Sequence, residues 1–195
     1  MHVSNLHKYI FLSVPHTKST STRKWLERYY DARQIGRPHD TGTASDRDGY
    51  FTWTIVREPC DRAAALWRKI HRKHDRPPVE KWMTDKGHAF PQSFRDFAEI
   101  LASGDMNEFP NHQLRPQAEL LRGISLDMTF KFESVPDELT RLPFALNEIG
   151  KFPHLTKNGL MQEETADKLF CEDPHCESLV EAWSPSDFRL WDRAL

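Results

Sequence analysis

The amino-acid sequence predicts an α/β protein with a central, mostly parallel sheet flanked by helices, and a repeated strand–loop–helix pattern carries that expectation. Tyr9 to Val14 is a short apolar run rich in aromatic and β-branched residues, stopped by Pro15. From Ser21 the pattern turns helical, with Trp25, Leu26 and Tyr29 on one face. Tyr50 to Val56 then repeats the strand composition, and Asp61 to about Lys73 the helical one. With no hairpin turn between the two copies, the strands are expected to run parallel, each followed by a crossover helix.

The first helix ends near Tyr30, and Asp31 to Gly49 is polar and holds Gly36, Pro38, Gly42 and Gly49, which reads as loop with one short strand near Gln34. The middle of the chain, from His71 to Asn111, is the least informative stretch. Its start, Lys69 to Pro78, is basic and proline-rich, and reads either as a solvated loop or as a strip that attracts an anionic substrate. A helix is expected from Ser93 to Ala102, a third strand from Leu126 to Phe132, a helix from Asp137 to Ile149 and a last one around Asp187 to Trp191.

Length and composition narrow the class. The 195 residues suit a single domain, 1–195, with enough chain to bury a core. Lysine and arginine total 27 against 29 aspartates and glutamates, and that balance argues against general nucleic-acid binding. No apolar run approaches a membrane span and the N-terminus lacks the plan of a signal peptide, so a soluble, cytoplasmic protein is expected. Cys60, Cys171 and Cys176 are too scattered for a disulfide framework and are expected to be reduced. His71 and His74 have no cysteine or carboxylate cluster beside them, so no metal is expected.

The chemistry concentrates where the first strand meets the first helix. A strand that feeds a polar loop opening a helix gathers backbone N–H groups, a positive dipole end and hydroxyls around one point, and this favours a phosphate. No glycine occurs between Met1 and Ile35, which excludes the glycine-rich loop of nucleoside-triphosphate sites. Arg57 stands at the carboxyl end of the second strand, where open α/β sheets bind ligands, and its planar fork suits a phosphate.

Val14-Pro-His-Thr-Lys-Ser-Thr-Ser21 resembles the loop of sulfotransferases that use 3′-phosphoadenosine 5′-phosphosulfate (PAPS), which that family writes Pro-Lys-Thr, two small residues, then Thr-Ser. Ile55-Val-Arg-Glu-Pro-Cys-Asp-Arg62 resembles the second signature of the family, Val-Arg-[Asp/Glu]-Pro-x-x-Arg. Weaker likenesses extend along the chain: Asn111 to Leu121 to a His-x-x-Pro-Gln segment, Glu133 to a glutamate ending the third strand, Phe152 to Asn158 to the loop beyond it, and Asp187-Phe188 to a closing Asp-Phe pair. Two positions depart from the pattern. His16 stands where the family has its lysine, and Ala65 where it has a second phosphate-binding serine.

The resemblance implies a three-layer, P-loop-like fold, PAPS as cofactor with 3′,5′-adenosine bisphosphate as product, and a hydroxyl acceptor, either a carbohydrate or a small molecule. Thr17, Lys18, Ser19, Thr20, Ser21, Thr22, Arg57 and Arg62 become the cofactor-binding candidates, with Arg57 on the 3′-phosphate; a helix-face ion pair is the other reading of Arg62. His16 and Lys18 become candidates for stabilising the leaving phosphate, together or singly. His39 becomes the candidate base, by its likeness in position to the histidine of the heparan sulfate 2-O-sulfotransferase branch. Its ordinary pKa of about 6.5 suits a proton acceptor near neutrality, and Asp40 or Glu58 are the alternatives. Three classes stay open: a sulfotransferase, a kinase-like P-loop enzyme, and a nucleotide-binding protein without turnover.

Overall fold

The computed structural model of the chain describes residues 1–37, 39, 48–108, 110, 112–145, 152–153 and 173–195. Asp40, Asn111, Cys171, residues 146–149 and the stretch from His154 to Asn158 lie outside the described residues. The elements in chain order are β1 (His2–Ser4), β2 (Tyr9–Leu12), α1 (Ser19–Tyr29), β3 (Arg33–Gln34), β4 (Phe51–Val56), α2 (Pro59–Ile70), α3 (Arg76–Asp85), α4 (Phe94–Ala102), α5 (Gln117–Leu120), β5 (Met128–Lys131), α6 (His175–Trp183) and α7 (Pro185–Asp192). The described residues gather into two compact units. The first is drawn from Met1–Arg57, Gln117–Gly159 and Leu190–Leu195, the second from Glu58–Pro116 and Leu160–Arg189.

The first unit is built on a five-stranded sheet in the order β3-β1-β2-β4-β5. β2 pairs in parallel with β4, Leu12 opposite Thr54, and β4 in parallel with β5, Val56 opposite Lys131. β1 runs antiparallel to both β2 and β3, so the sheet is mixed rather than mostly parallel. The sequence pattern passes over β1 because three residues are too few to show a period. A tight turn through Lys8, with φ of 53°, folds it back on β2 as a hairpin.

Both faces of this sheet are covered, which explains the unbroken apolar runs. Tyr9, Phe11, Trp53, Ile55 and Phe130 share a face with Trp25 and Leu26 of α1 and with Leu139 and Leu142. Ile10, Leu12 and Val56 point the other way, against Leu121, Leu190 and Trp191. The strand ends at Leu12 rather than Val14, and the first helix opens at Ser19, two residues earlier than expected.

Two expectations fail for proline-related reasons. Asp137 was expected to start a helix running to Ile149, but among the described residues of that range the chain forms a 3-10 segment, Asp137–Arg141, and is not helical from 142 to 145. Leu142 precedes Pro143 and is extended, with ψ of 131°, as the clash with a following proline ring requires. Conversely, Pro77 and Pro78 fall in the first turn of α3, where their missing N–H groups are harmless. A helix therefore occupies part of a stretch that reads as loop. In the second unit, α2, α3, α4 and α6 pack around Leu66, Phe97, Leu101, Val180 and Trp183. Ser93 and Asp96 form a reciprocal capping box at the start of α4.

His2 gives the fold a pH dependence. Its side chain is 1% exposed; Nε2 meets the Glu27 carboxylate at 2.9 Å and buried Nδ1 has no hydrogen-bond partner among the described residues. Burial lowers its pKa, and repulsion from Arg23 and the N-terminal ammonium adds to this, while Glu27 opposes it. The unfolded chain then takes up a proton near pH 6.5 before the folded one does. Stability should therefore fall as pH drops from about 7 through 6.5, and level off below the folded value. Urea unfolding from pH 7.5 to 5.5 measures this slope, which His2→Gln should flatten.

Candidate functional site

The parallel strands β2, β4 and β5 all run out at one edge of the first unit's sheet, ending at Leu12, Val56 and Lys131. Ligands of α/β sheets bind at such carboxyl ends. Past its end β2 leads into a polar loop, residues 13–18, β4 into Arg57 and β5 into Phe132.

The loop reaches α1 through two left-handed residues, His16 with φ of 67° and Lys18 with φ of 53°. Neither is glycine, and each such residue costs about 1–2 kcal/mol of strain. The Thr17 hydroxyl is buried and donates to Val14 O at 2.9 Å, so it holds the loop's own shape. Lys18 is the N-cap of α1 and offers no side-chain cap, and the first turn carries no acidic residue. The first intrahelical bond runs from Thr22 N–H to Lys18 O at 3.0 Å. The turn before it therefore presents backbone N–H groups at the helix's positive end. Of the hydroxyls there, Thr22 donates to Lys18 O at 3.2 Å, Thr20 is exposed and accepts from Arg23 at 3.3 Å, and Ser19 and Ser21 are largely buried. Arg23, whose Nε also donates to Ser19 O at 3.2 Å, adds a cation that the sequence reading missed. Its spacing one turn beyond Ser19 was the available signal.

Lys18 and Arg57 converge on Phe132. The Lys18 ammonium donates to Phe132 O and Val135 O, both at 2.8 Å, and lies 4.3 Å from the Phe132 ring centre. The Arg57 guanidinium lies 4.4 Å from the same ring, and Arg57 is 7% exposed. Cations over an aromatic face gain about 0.5–2 kcal/mol each. Phe132 was read only as a strand end, since nothing in the sequence tells which residues an aromatic side chain will meet.

His39 also reaches this edge. Its Nδ1 is 2.6 Å from Ser13 O, and because a carbonyl only accepts, Nδ1 carries the proton. Ser13 Oγ is a second, weaker acceptor at 3.3 Å. In the neutral ring this leaves the basic lone pair on Nε2, the tautomer a general base needs. The ring nitrogen bond spans 26 residues of sequence and seats His39 on the first residue after β2.

Arg62 is placed differently. It belongs to the second unit, is 0% exposed, and its guanidinium donates to Gln113 O at 3.1 Å and Arg115 O at 2.6 Å. Asp187 lies 3.9 Å away and the Trp183 ring 5.6 Å. The guanidinium thus bridges backbone carbonyls in the interior of its own unit. Glu58 caps α2 by accepting from Asp61 N–H at 2.6 Å, and burial raises its pKa. Ala65 is buried on α2 and offers no hydroxyl. His71 Nδ1 donates to Trp67 O at 3.0 Å.

The second unit also holds a cleft of about 290 Å³ lined by Ile70, Val79, Trp82 and Leu114, with Lys69 and Asp75 paired at 2.8 Å beside it. Its cation is met by its own carboxylate, so the cleft lacks the uncompensated positive charge that a phosphate favours. Among the described residues no group of three or more His, Cys, Asp or Glu side chains is arranged to hold a metal, and no helix is long and apolar enough to cross a membrane. No protein-family model, curated protein or solved structure matches the chain.

The burial of Arg62 has a measurable consequence. Arg62→Met removes the donors from two carbonyls and the cation that lies 3.9 Å from Asp187, a change that should destabilise by about 3–5 kcal/mol. Denaturant unfolding followed by tryptophan fluorescence measures it; a loss under about 1 kcal/mol would show that the guanidinium is not needed inside the unit.

Proposed function

We propose that the chain is a sulfotransferase of the three-layer P-loop type, which moves the sulfuryl group of PAPS to a hydroxyl of a carbohydrate or small-molecule acceptor. The observation that carries this reading is the parallel pairing of β2 with β4, Leu12 opposite Thr54, because it sets the loop 13–18 and Arg57 side by side at one sheet edge. A nucleoside phosphorylated at both ends calls for two neighbouring anion-binding tips.

The residues fit that group. The uncapped N-terminus of α1, with Ser19, Thr20 and Ser21 in its first turn, suits the 5′-phosphosulfate, and the Arg57 fork suits the 3′-phosphate. Thr17 and Thr22 hold the loop in shape through Val14 O and Lys18 O. Bound there, the cofactor supplies a sulfuryl group on a phosphate leaving group. His39 Nε2 takes the proton of the attacking hydroxyl, with Ser13 O fixing the ring's tautomer. His16 stands at the loop position of the family's lysine and, as imidazolium, offers the positive charge that stabilises the departing oxygen. Lys18 joins it by exchanging its contacts with Phe132 O and Val135 O for the anion.

Those same two contacts favour a second reading, a PAPS-binding protein with little turnover. An ammonium held at 2.8 Å by two carbonyls has partners to give up before it can serve a leaving group. A kinase-like enzyme is the weakest reading, since the glycine-rich loop is absent.

Thermal unfolding with ligands tests the assignment. At a hundredfold excess over Kd, 3′,5′-adenosine bisphosphate should stabilise by about 2.7 kcal/mol, and ATP with magnesium should not. The reverse result would make the kinase-like reading the better one. Arg57→Ala should weaken bisphosphate binding about 10- to 100-fold, as expected for lost charge-assisted hydrogen bonds. In a radiolabel transfer assay over an acceptor panel, His16→Lys should preserve or raise transfer, and His16→Ala with Lys18→Ala should abolish it. Unchanged transfer in that double variant removes both residues from leaving-group stabilisation.

A further inference from the structure

At Arg57 the chain leaves the sheet, and its backbone groups lose the ladder that holds every residue before them. A side chain takes the place of the missing strand. Gln117, the first residue of α5, accepts a hydrogen bond from Arg57 N–H at 2.9 Å through Oε1 and donates one to Arg57 O at 2.8 Å through Nε2. Both bonds are buried and Gln117 is 0% exposed. A primary amide offers an acceptor and a donor side by side without carrying charge, as a neighbouring strand does.

Holding the N–H and the C=O of one residue fixes the peptide planes on both sides of it, and hence the direction of its Cα–Cβ bond. The guanidinium is then settled against Phe132, 4.4 Å from the ring centre. A bidentate phosphate contact needs the fork in one orientation, and small displacements of such a group lose much of the binding.

We propose that Gln117 is the positioning residue for Arg57, and that it thereby sets the preference of the site for a nucleotide phosphorylated at its 3′ as well as its 5′ end. This rests on the sulfotransferase reading, which places Arg57 on the 3′-phosphate. Gln117 touches no ligand itself; it acts through the backbone of Arg57. The residue is the glutamine of the Pro-Gln pair at 116–117 that the sequence marks out, but the sequence alone does not say what the amide holds.

The test is calorimetric titration of the full chain with 3′,5′-adenosine bisphosphate and with 5′-AMP, taking the ratio of the two dissociation constants as the readout. The wild-type chain should prefer the bisphosphate. Gln117→Asn, whose shorter amide cannot span both Arg57 groups, should lower that preference about tenfold while changing 5′-AMP binding less than about threefold. In an Arg57→Ala background the same substitution should have no further effect on the ratio. Gln117→Glu keeps the length and the acceptor for Arg57 N–H, and carries the measurement if Gln117→Asn does not fold.

A merely structural role would weaken both nucleotides alike, leaving the ratio where it was, and that result in a folded variant overturns the proposal. So does a loss of preference that persists in the Arg57→Ala background. A wild-type chain with no preference for the bisphosphate defeats the sulfotransferase reading, and the role of Gln117 with it. A wild-type preference that survives Gln117 substitution defeats the role of Gln117 alone.

Discussion

Parallel pairing of β2 with β4 is the constraint on which the site depends. Tyr9 faces Phe51 and Leu12 faces Thr54, so both strands end within two residues of each other at the same edge. The Thr54 hydroxyl reinforces the pairing by donating to Leu12 O at 2.8 Å. Slippage by one residue would exchange the faces of the strand. Both faces are apolar, so polarity alone does not forbid that; size does. Tyr9 and Phe11 belong to an aromatic layer in which Phe11 lies 4.6 Å from Trp53 and Trp53 lies 5.7 Å from Phe130, whereas Ile10 and Leu12 sit in an aliphatic layer.

With the edge in place, two cations come together at one ring. Lys18 meets two carbonyls and a ring face, and Arg57 meets the same ring. The loop before α1 adds a positive helix end and left-handed backbone at His16 and Lys18. Strain in non-glycine residues is tolerated where surrounding contacts over-determine the conformation. Here the buried Thr17 hydroxyl, bonded to Val14 O, is one of those contacts. His39 Nδ1 bonds to Ser13 O at the strand tip, and that bond also sets its tautomer.

Arg57 and Arg62 show how far a motif can be read. They are five residues apart in one signature-like stretch, yet Arg57 lies beside a ring at the sheet edge while Arg62 is enclosed in the second unit, bridging Gln113 O and Arg115 O. Residue type and spacing are the same kind of information for both. What separates them is the direction each side chain takes from α2 or from the strand end, and what the chain places there more than fifty residues later. The proline-rich stretch that opens α3 and the short segment after Pro136 mislead for a related reason. Whether a proline breaks a helix depends on where in the helix it falls, and that is settled by packing on either side.

The sequence by itself determined the α/β class, the strand runs at Tyr9 and Tyr50, the polar loop ahead of α1 and the position of Arg57 at a strand end. Those features are local: runs, periods and stop residues within a dozen positions. Only the tertiary structure decided that the sheet is mixed, that Lys18 and Arg57 share the Phe132 ring, that His39 sits on Ser13 and that Gln117 stands in for a strand beside Arg57. The β1–β2 hairpin apart, these contacts join residues 26 to 114 positions apart. Contacts of that span depend on sheet order and on which face a strand presents, and no local pattern in the chain encodes them.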